Sequence, residues 1–250
     1  GKDWFNPADV DTVRDERGRI TGATLRSDGE PVVIGGTEKM SKSKNNGVDP
    51  QVMVGKYGAD TVRLFSMFAA PPEQSLEWNE AGVDGMARFL RRLWALVTKH
   101  TDAGVVSASL DLDSLTGPQK DLRRKLHETI AKVGDDYGRR YSFNTAIAAV
   151  MELLNVLGKF DDASDNGRAL RQEVREAVVL LLNPITPHAC HALWQVLGKA
   201  ETLLEDIGFP QADAQALKRD ALTLAVQVNG KLRGTIEVAA DASREQVEAL

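Results

Sequence analysis

The sequence predicts a mainly α chain: an antiparallel helix bundle with a β-containing segment ahead of it and a small α+β piece behind it. Three observations carry that expectation. From about Asn79 to Gly198 apolar residues recur at helical spacing in several separate stripes, from Leu222 the period drops to two, and residues 1–38 are short, turn-rich and β-prone. Helices with one apolar stripe bury it against one another, which makes a bundle the expected packing.

Residues 1–38 read as short strands and turns. Ile20 and Leu25 lie either side of Thr21-Gly22, Ser27-Asp28-Gly29-Glu30 reads as a tight turn, and Pro31-Val32-Val33-Ile34 is a β-prone run leading into Gly35-Gly36. Trp4 and Phe5 fit either an anchor for this segment or core. The stretch from Gly35 to Pro50, GGTEKMSKSKNNGVDP, then brings Lys39, Lys42, Lys44 and two serines within six positions. Gly and Asn supply positive-φ positions for tight turns, and the alternating Ser and Lys leave almost nothing apolar to bury, so a mobile cationic loop is expected. Asp49-Pro50 starts a helix, as an N-cap followed by Pro at the first helical position. That helix should end near Tyr57-Gly58, with Asp60 capping a second one through Phe68 that Pro71-Pro72 terminates. Val62, Phe65 and Phe68 give the second helix a face expected to pack against the sheet that carries the active site.

The bundle begins next. Val83, Met86, Leu90, Leu93 and Val97 fall at spacings of 3, 4, 3 and 4, with Arg88, Arg91, Arg92 and Lys99 largely off that stripe. Leu122, Leu126, Ile130, Val133 and Tyr137 form a second stripe after Gly117-Pro118. Phe143, Ile147, Val150, Leu154 and Leu157 form a third, capped by Ser142, and Leu170, Val174, Val178 and Leu181 a fourth that Pro184 ends. Pro187 opens a shorter helix bearing Leu193, Trp194 and Leu197. Residues 199–220 are acidic and aperiodic apart from Leu203-Leu204 and Ile207, and read as a linker packed over the bundle. Then Leu222, Leu224, Val226 and Val228, and after Asn229-Gly230 Leu232, Ile236 and Val238, alternate with polar residues, which signals a hairpin. Ser243 with Gln246 makes a capping box for a last helix cut off at Leu250.

Composition narrows the class. With 250 residues, 42% hydrophobic and 27% charged, the chain can bury one large core or two smaller ones and fits a soluble, cytoplasmic protein. No apolar run approaches the ~20 residues of a membrane span, and there is no secretory leader. The single cysteine, Cys190, excludes an internal disulfide and a Cys-rich zinc site; it lies between His188 and His191, but its apolar helix makes it a core thiol, and no metal site is expected. Net charge is −5, unevenly spread: residues 1–38 hold eight acids against five bases, residues 39–63 five bases against two acids, residues 84–101 four against one and residues 119–141 seven against four. Positive charge therefore gathers at the loop and on two helices, as a phosphate backbone running along one side of an acidic protein requires. The basic groups Arg88/Arg91/Arg92 and Arg123/Arg124/Lys125, with Lys231 and Arg233 on the hairpin, are the candidates for phosphate contact; a solvated helix or strand face is the plain alternative for each.

Lysine is a compact charge on a flexible stem, so a loop carrying several suits a polyphosphate whose charge moves onto a leaving pyrophosphate. Lys39-Met40-Ser41-Lys42-Ser43 is the KMSKS motif of class I aminoacyl-tRNA synthetases in full. With the DPQ that follows, KYGADTVRLF (Lys56 to Phe65) and SLEW (Ser75 to Trp78), the chain resembles the bacterial leucyl-tRNA synthetase family; NTAIAAVMELLN (Asn144 to Asn155), LNPITPH (Leu182 to His188) and QVNGKLRG (Gln227 to Gly234) extend the likeness over nearly its whole length.

The resemblance implies an enzyme that activates leucine with ATP and Mg2+ and passes it to tRNA(Leu), with Lys42 as the catalytic and ATP-binding lysine and Lys39 in support. It implies a bundle of the class I anticodon-binding type, touching tRNA by shape and backbone rather than by reading the anticodon. It also implies a division into 1–38, the end of a leucine-specific insertion; 39–70, the loop and the end of the catalytic core; 71–198, the bundle; 199–220, a linker; and 221–250, the start of a C-terminal α+β domain. The helices after the loop are expected to transmit tRNA contact to it. The chain starts at Gly1 without Met, and His100, His127, His188 and His191 form no HIGH-type motif, so it is expected to be a fragment, monomeric and inactive alone. A valyl- or isoleucyl-tRNA synthetase fragment and a non-catalytic helical RNA-binding module are the competing readings.

Overall fold

The computed structural model describes residues 3–17, 19–102, 104–106, 109–218, 221–239 and 242–248. Two strands, β1 (Val10–Arg14) and β2 (Ile20–Leu25), form an antiparallel hairpin, and the described helices are α1 (Pro50–Tyr57), α2 (Ala59–Ala69), α3 (Glu80–Thr101), α4 (Gly117–Asp135), α5 (Phe143–Leu157), α6 (Asp165–Leu182) and α7 (Pro187–Val196). A second antiparallel hairpin, β3 (Ala221–Val228) and β4 (Lys231–Ala239), and the short α8 (Arg244–Glu248) follow.

The N-terminal segment departs from the sequence expectation in two places. Thr21-Gly22 lies inside β2, and the turn sits earlier, where Asp15 accepts from the backbone of Arg17 and Arg19. The Ser27–Glu30 turn forms as expected, with Gly29 at φ 78°. The β-prone run at residues 31–34 makes only a single bridge, Pro31 to Thr24, and Val33 is 94% exposed. Val32 N donates to Ala23 O of β2 at 2.9 Å, so the run pairs with β2 only at its start and does not continue as a strand.

The bundle buries its stripes. Leu122, Leu126, Ile130 and Val133 of α4, Ile147, Val150, Leu154 and Leu157 of α5, and Leu170, Val174, Val178 and Leu181 of α6 are all buried in one core. On α3 the third-turn position goes to Phe89 rather than Leu90, which is only half-buried. α4 packs on α5 and α6, α6 on α7, and α3 on α7. A π-helical turn, Asp136–Arg140, joins α4 to α5; its Asp136 is fully buried and accepts from Thr145 at 2.6 Å and Lys132 at 2.6 Å. Ser142 takes the N-cap position of α5 but caps with no side-chain bond; its hydroxyl donates to Arg140 O instead.

α2 is corrected twice. Its N-cap is Gly58, at φ 83° in the kink between α1 and α2, and Asp60 lies in the first turn, buried. Its buried face is Thr61, Leu64 and Phe65, with Val62 and Phe68 only half-buried, and among the described residues it packs on α1, α3, α5 and α7. The contact is close: a Cβ on Gly82 of α3 would sit 2.6 Å from the Phe65 ring, which also meets Trp78 edge-on at 5.1 Å.

The linker is ordered against the bundle: Leu204 is 1% exposed while its neighbour Leu203 is 59% exposed. In the second hairpin Asn229 and Gly230 both take positive φ, as a two-residue turn of the primed type requires. Val238 is buried and Leu224 and Ile236 are half-buried, whereas Val226 is exposed; the side chains of Leu222, Val228 and Leu232 and the end of the chain at Leu250 lie outside the described residues. Ser243 and Gln246 form the expected capping box.

Candidate phosphate-binding loop and nucleic-acid interface

The lysine-rich loop is shaped by its polar side chains. Ser41 is the N-cap of a 3-10 turn over Lys42–Lys44: its hydroxyl accepts from Lys44 N at 3.3 Å and lies 3.3 Å from Ser43 Oγ. Asn46 clasps the other side, accepting from Ser41 N at 2.8 Å and donating to Lys39 O at 3.3 Å. Asn45 adopts the left-handed conformation, φ 47°, that lets the chain leave the turn. Asp49 then caps α1 by accepting from Gln51 N at 2.8 Å.

These constraints divide the three lysines. Lys44 is tied down: its ammonium pairs with Glu38 and lies 5.3 Å from the Trp4 ring centroid. Trp4, 40% exposed, therefore anchors the loop rather than filling a core, and Phe5 at 44% exposure is no core residue either. Lys39 and Lys42 are exposed, and among the described residues no carboxylate pairs with them. Met40, also exposed, lies between them. The loop thus presents two ammonium groups outward and spends the third ammonium and the Ser41 hydroxyl on holding its own shape, an arrangement suited to an anionic ligand.

α2 fastens the base of the loop to the bundle through two polar contacts. Asp60 accepts from Ala189 N at 2.6 Å and meets His188 Nδ1 at 2.9 Å, so it caps the first turn of α7 from another helix. Arg63 donates to Ile185 O at 2.9 Å and Pro184 O at 3.1 Å, satisfying the turn between α6 and α7. These partners lie more than a hundred residues apart in sequence, so no local signal announces them; Asn46, in contrast, belongs to an Asn-Asn-Gly that reads as a turn. On the outer side Lys56 of α1 meets Glu80 of α3 at 3.1 Å.

The basic clusters separate in the same way. Arg88, Arg91 and Arg92 are exposed on one side of α3, three and four residues apart, and no described carboxylate pairs with them; Arg92 lies over Phe89 at 6.0 Å. Arg123 was expected on the polar face and is not there. Its side chain is 11% exposed and bridges Asp213 at 3.0 Å and Glu173 at 3.4 Å, clamping the linker to α4 and α6. Burial would raise the Glu173 carboxyl, but His127 and Arg123 outweigh it and hold Glu173 below the usual carboxylate range. Arg124 pairs with Asp121 and Lys125 with Glu152 at 3.3 Å. Lys231 and Arg233 are exposed, and Arg233 is the extra residue of a β-bulge between the Gln227–Leu232 and Val226–Gly234 pairs.

Cys190 is fully buried 3.4 Å from Thr186 Oγ1, and burial pushes its thiol up to about 12, which makes it a core thiol and no nucleophile. Among the described residues no helix is long and apolar enough to cross a membrane, and no group of His, Cys, Asp and Glu side chains is arranged to hold a metal ion.

A family model described as the anticodon-binding domain of tRNA ligase matches residues 119–249, and one for class I tRNA synthetases (I, L, M and V) matches residues 32–79. Over 249 residues the chain is 81% identical to a leucine–tRNA ligase of Stenotrophomonas maltophilia, and over 250 residues 78% identical to one of Xanthomonas axonopodis pv. citri. All of this chain is covered in both, but it spans only 28% of the length of these relatives. Among solved structures, the ternary complex of Agrobacterium radiobacter K84 agnB2 LeuRS with tRNA and LeuAMS superposes with a TM-score of 0.74 at 28% identity, covering 84% of this chain and 27% of that one.

Proposed function

Because the chain belongs to the family of anticodon-binding domains of tRNA ligases, we propose that it is part of a leucine–tRNA ligase, which activates leucine with ATP to leucyl adenylate, releasing pyrophosphate, and hands the leucyl group to tRNA(Leu). The observation that carries this reading is the end-to-end likeness to leucine–tRNA ligases at 78–81% identity, with the KMSKS loop inside the matched region.

In this reading leucine's carboxylate attacks the α-phosphorus of ATP, the bond to the β,γ-diphosphate breaks, and pyrophosphate leaves with the negative charge. ATP enters with Mg2+ as substrate. Lys42, exposed and unpaired by any described carboxylate, follows that charge outward, Lys39 adds a second ammonium, and Ser41 and Asn46 hold the turn that aims them. Asp60 and Arg63 tie α2 to the start of α7, which gives tRNA docking on the bundle a route toward the reacting end. The division at residues 38, 70, 198 and 220, a cytoplasmic location and a monomeric state belong to the same proposal.

The test uses the complete ligase. Removing a group that stabilises only the transition state costs on the order of 3 kcal/mol, so Lys42→Ala slows leucine-dependent pyrophosphate exchange about a hundredfold while leucine binding holds. Equal loss of both removes the role from Lys42. Charging of purified tRNA(Leu), tRNA(Val) and tRNA(Ile) by the same protein separates leucine from its neighbours in substrate.

For the tRNA surface the proposal keeps Arg88, Arg91 and Arg92, with Lys231 and Arg233 at the hairpin; Arg124 serves only if it leaves Asp121, and Arg123 drops out as a clamp. Changing the three α3 arginines together to Gln should weaken tRNA binding whatever the anticodon and flatten the salt dependence by about one unit of slope per lost phosphate contact. An unchanged salt slope removes α3 from the interface.

A further inference from the structure

A cavity of about 370 Å³ opens between the ends of α3 and α5 and the first half of α6, apart from both the loop and the α3 arginines. Lys99, His100, Arg168, Arg171 and Arg175 line it beside an apolar floor that includes Phe160, and no acidic residue faces it. That charge pattern is unusual inside a protein. Arginines are rarely buried unless paired, yet Arg175 is 7% exposed and bonds only carbonyls, from Nε to Leu96 O at 3.1 Å and from Nη1 to Arg171 O at 2.9 Å. Arg171 Nε is buried and has no partner at all. The acid whose charge acts on Arg171, Asp162, already accepts from Ser164 N at 2.9 Å and from Gln119 Nε2 at 2.6 Å.

His100 reports the same excess. Burial, then the charges of Arg175, Arg171 and Arg168, push its imidazole down from 6.5 to about 4, although Gln172 Oε1 lies 2.9 Å from its Nε2. Lys99 adjoins it, and the carboxylate of Glu176 is taken up by Gln172 Nε2 at 2.8 Å and Lys199 at 3.0 Å. The imidazole is therefore neutral at pH 7, and Arg171, Arg175 and Lys99 supply positive charge to the cavity.

We propose that this cavity is an oxyanion site of the phosphate class, in which Arg171 and Arg175 present N–H groups to one phosphoryl group and Lys99 balances its remaining charge. A monocarboxylate would leave most of the positive charge uncompensated, whereas a phosphoryl dianion matches both its amount and the forked geometry of guanidinium. The volume leaves room beyond the phosphoryl group, and Phe160 offers that part an apolar wall. The same chemistry has two sources, a phosphate of an RNA backbone or a free phosphate compound.

The probe is inorganic phosphate, titrated into the 250-residue chain at pH 7 with chloride holding ionic strength constant, and the readout is the side-chain N–H resonance of Arg171 together with the His100 titration. The site predicts a saturable shift at Arg171 and a partial rise of the His100 pKa from about 4, because burial, the largest cause of its depression, persists while a bound dianion offsets the arginine charges that add to it. Arg171→Gln should keep the fold and weaken phosphate at least tenfold; Arg175 makes two backbone bonds, so its replacement confuses folding with binding. No saturable shift by about 50 mM phosphate, far above a millimolar Kd, or undiminished binding by Arg171→Gln, overturns the proposal. A second titration with a tRNA transcript assigns the source: a shift at Arg171 that phosphate competes away marks a backbone phosphate, and phosphate binding without that shift marks a free compound.

Discussion

The lysine loop and the helix bundle are built on opposite terms. Between residues 35 and 49 no residue is buried, and conformation rests on hydrogen bonds from Ser41 and Asn46 and on one lysine held by Glu38 and Trp4. In the bundle Leu153, Leu170, Leu181, Leu182 and Leu193 are each 0–1% exposed and share one core. The difference teaches where stability and chemistry can be changed independently. A segment with no burial contributes little to folding free energy, so its cations are free to be chosen for a ligand, whereas the bundle tolerates few changes and supplies a fixed mount.

The largest effect expected is in the core. Leu182→Ala removes a fully buried side chain from the junction of α6 with the turn that Arg63 holds, and should cost about 3 kcal/mol by the transfer and cavity terms together. Urea unfolding of the chain measures it. A loss below about 0.5 kcal/mol would mean that the core relaxes around the cavity and that the contrast between mount and loop is overstated.

The join between the two regions comes next. Asp60→Ala leaves Ala189 N without its acceptor at a half-buried helix start, for roughly 2 kcal/mol. His188→Ala removes the other partner of the same carboxylate, but the imidazole is 80% exposed and the pair is screened, so the change should stay within about 0.5 kcal/mol. The ratio is what sharpens the comparison. If the histidine variant costs as much as the aspartate variant, the join is an ion pair and will weaken with salt; if the aspartate dominates, it is a helix cap and will not.

How much of this was legible in the sequence follows from the range of the forces involved. The apolar stripes of α4, α5 and α6 placed their buried residues correctly except at two ends, Tyr137 in the π-helical turn after α4 and Phe143 at the start of α5, which are only half-buried; elsewhere helical period and burial are local properties of each segment. Asn229-Gly230, Asp49-Pro50 and the Ser243/Gln246 box were read correctly for the same reason: the cap or turn lies within four residues. What failed was non-local. Asp60 read as the cap of its own helix and caps α7 instead, Arg123 read as a surface base and is the clamp between α6 and the linker, and Val33 read as strand where no neighbour pairs with it. Within the loop the residue types were plain, but three equivalent lysines could not be ranked until Trp4, forty residues upstream of Lys44, turned out to hold one of them.

That ranking yields the smallest and most discriminating expectation. Lys44→Gln loses a half-exposed ion pair and a cation–π contact, each worth at most about 1 kcal/mol and neither holding any apolar burial, so the unfolding midpoint of the chain should barely move. In the complete ligase the same change should slow pyrophosphate exchange less than tenfold, against about a hundredfold for Lys42→Ala, because Lys44 keeps the turn in shape while Lys42 meets the leaving charge. Trp4→Ala, which loosens Lys44 without removing any charge, should then match Lys44→Gln. Were Lys44→Gln as damaging as Lys42→Ala while Trp4→Ala did nothing, the three ammonium groups would act as one converging cluster, and the division between a holding lysine and presenting lysines would have to be abandoned.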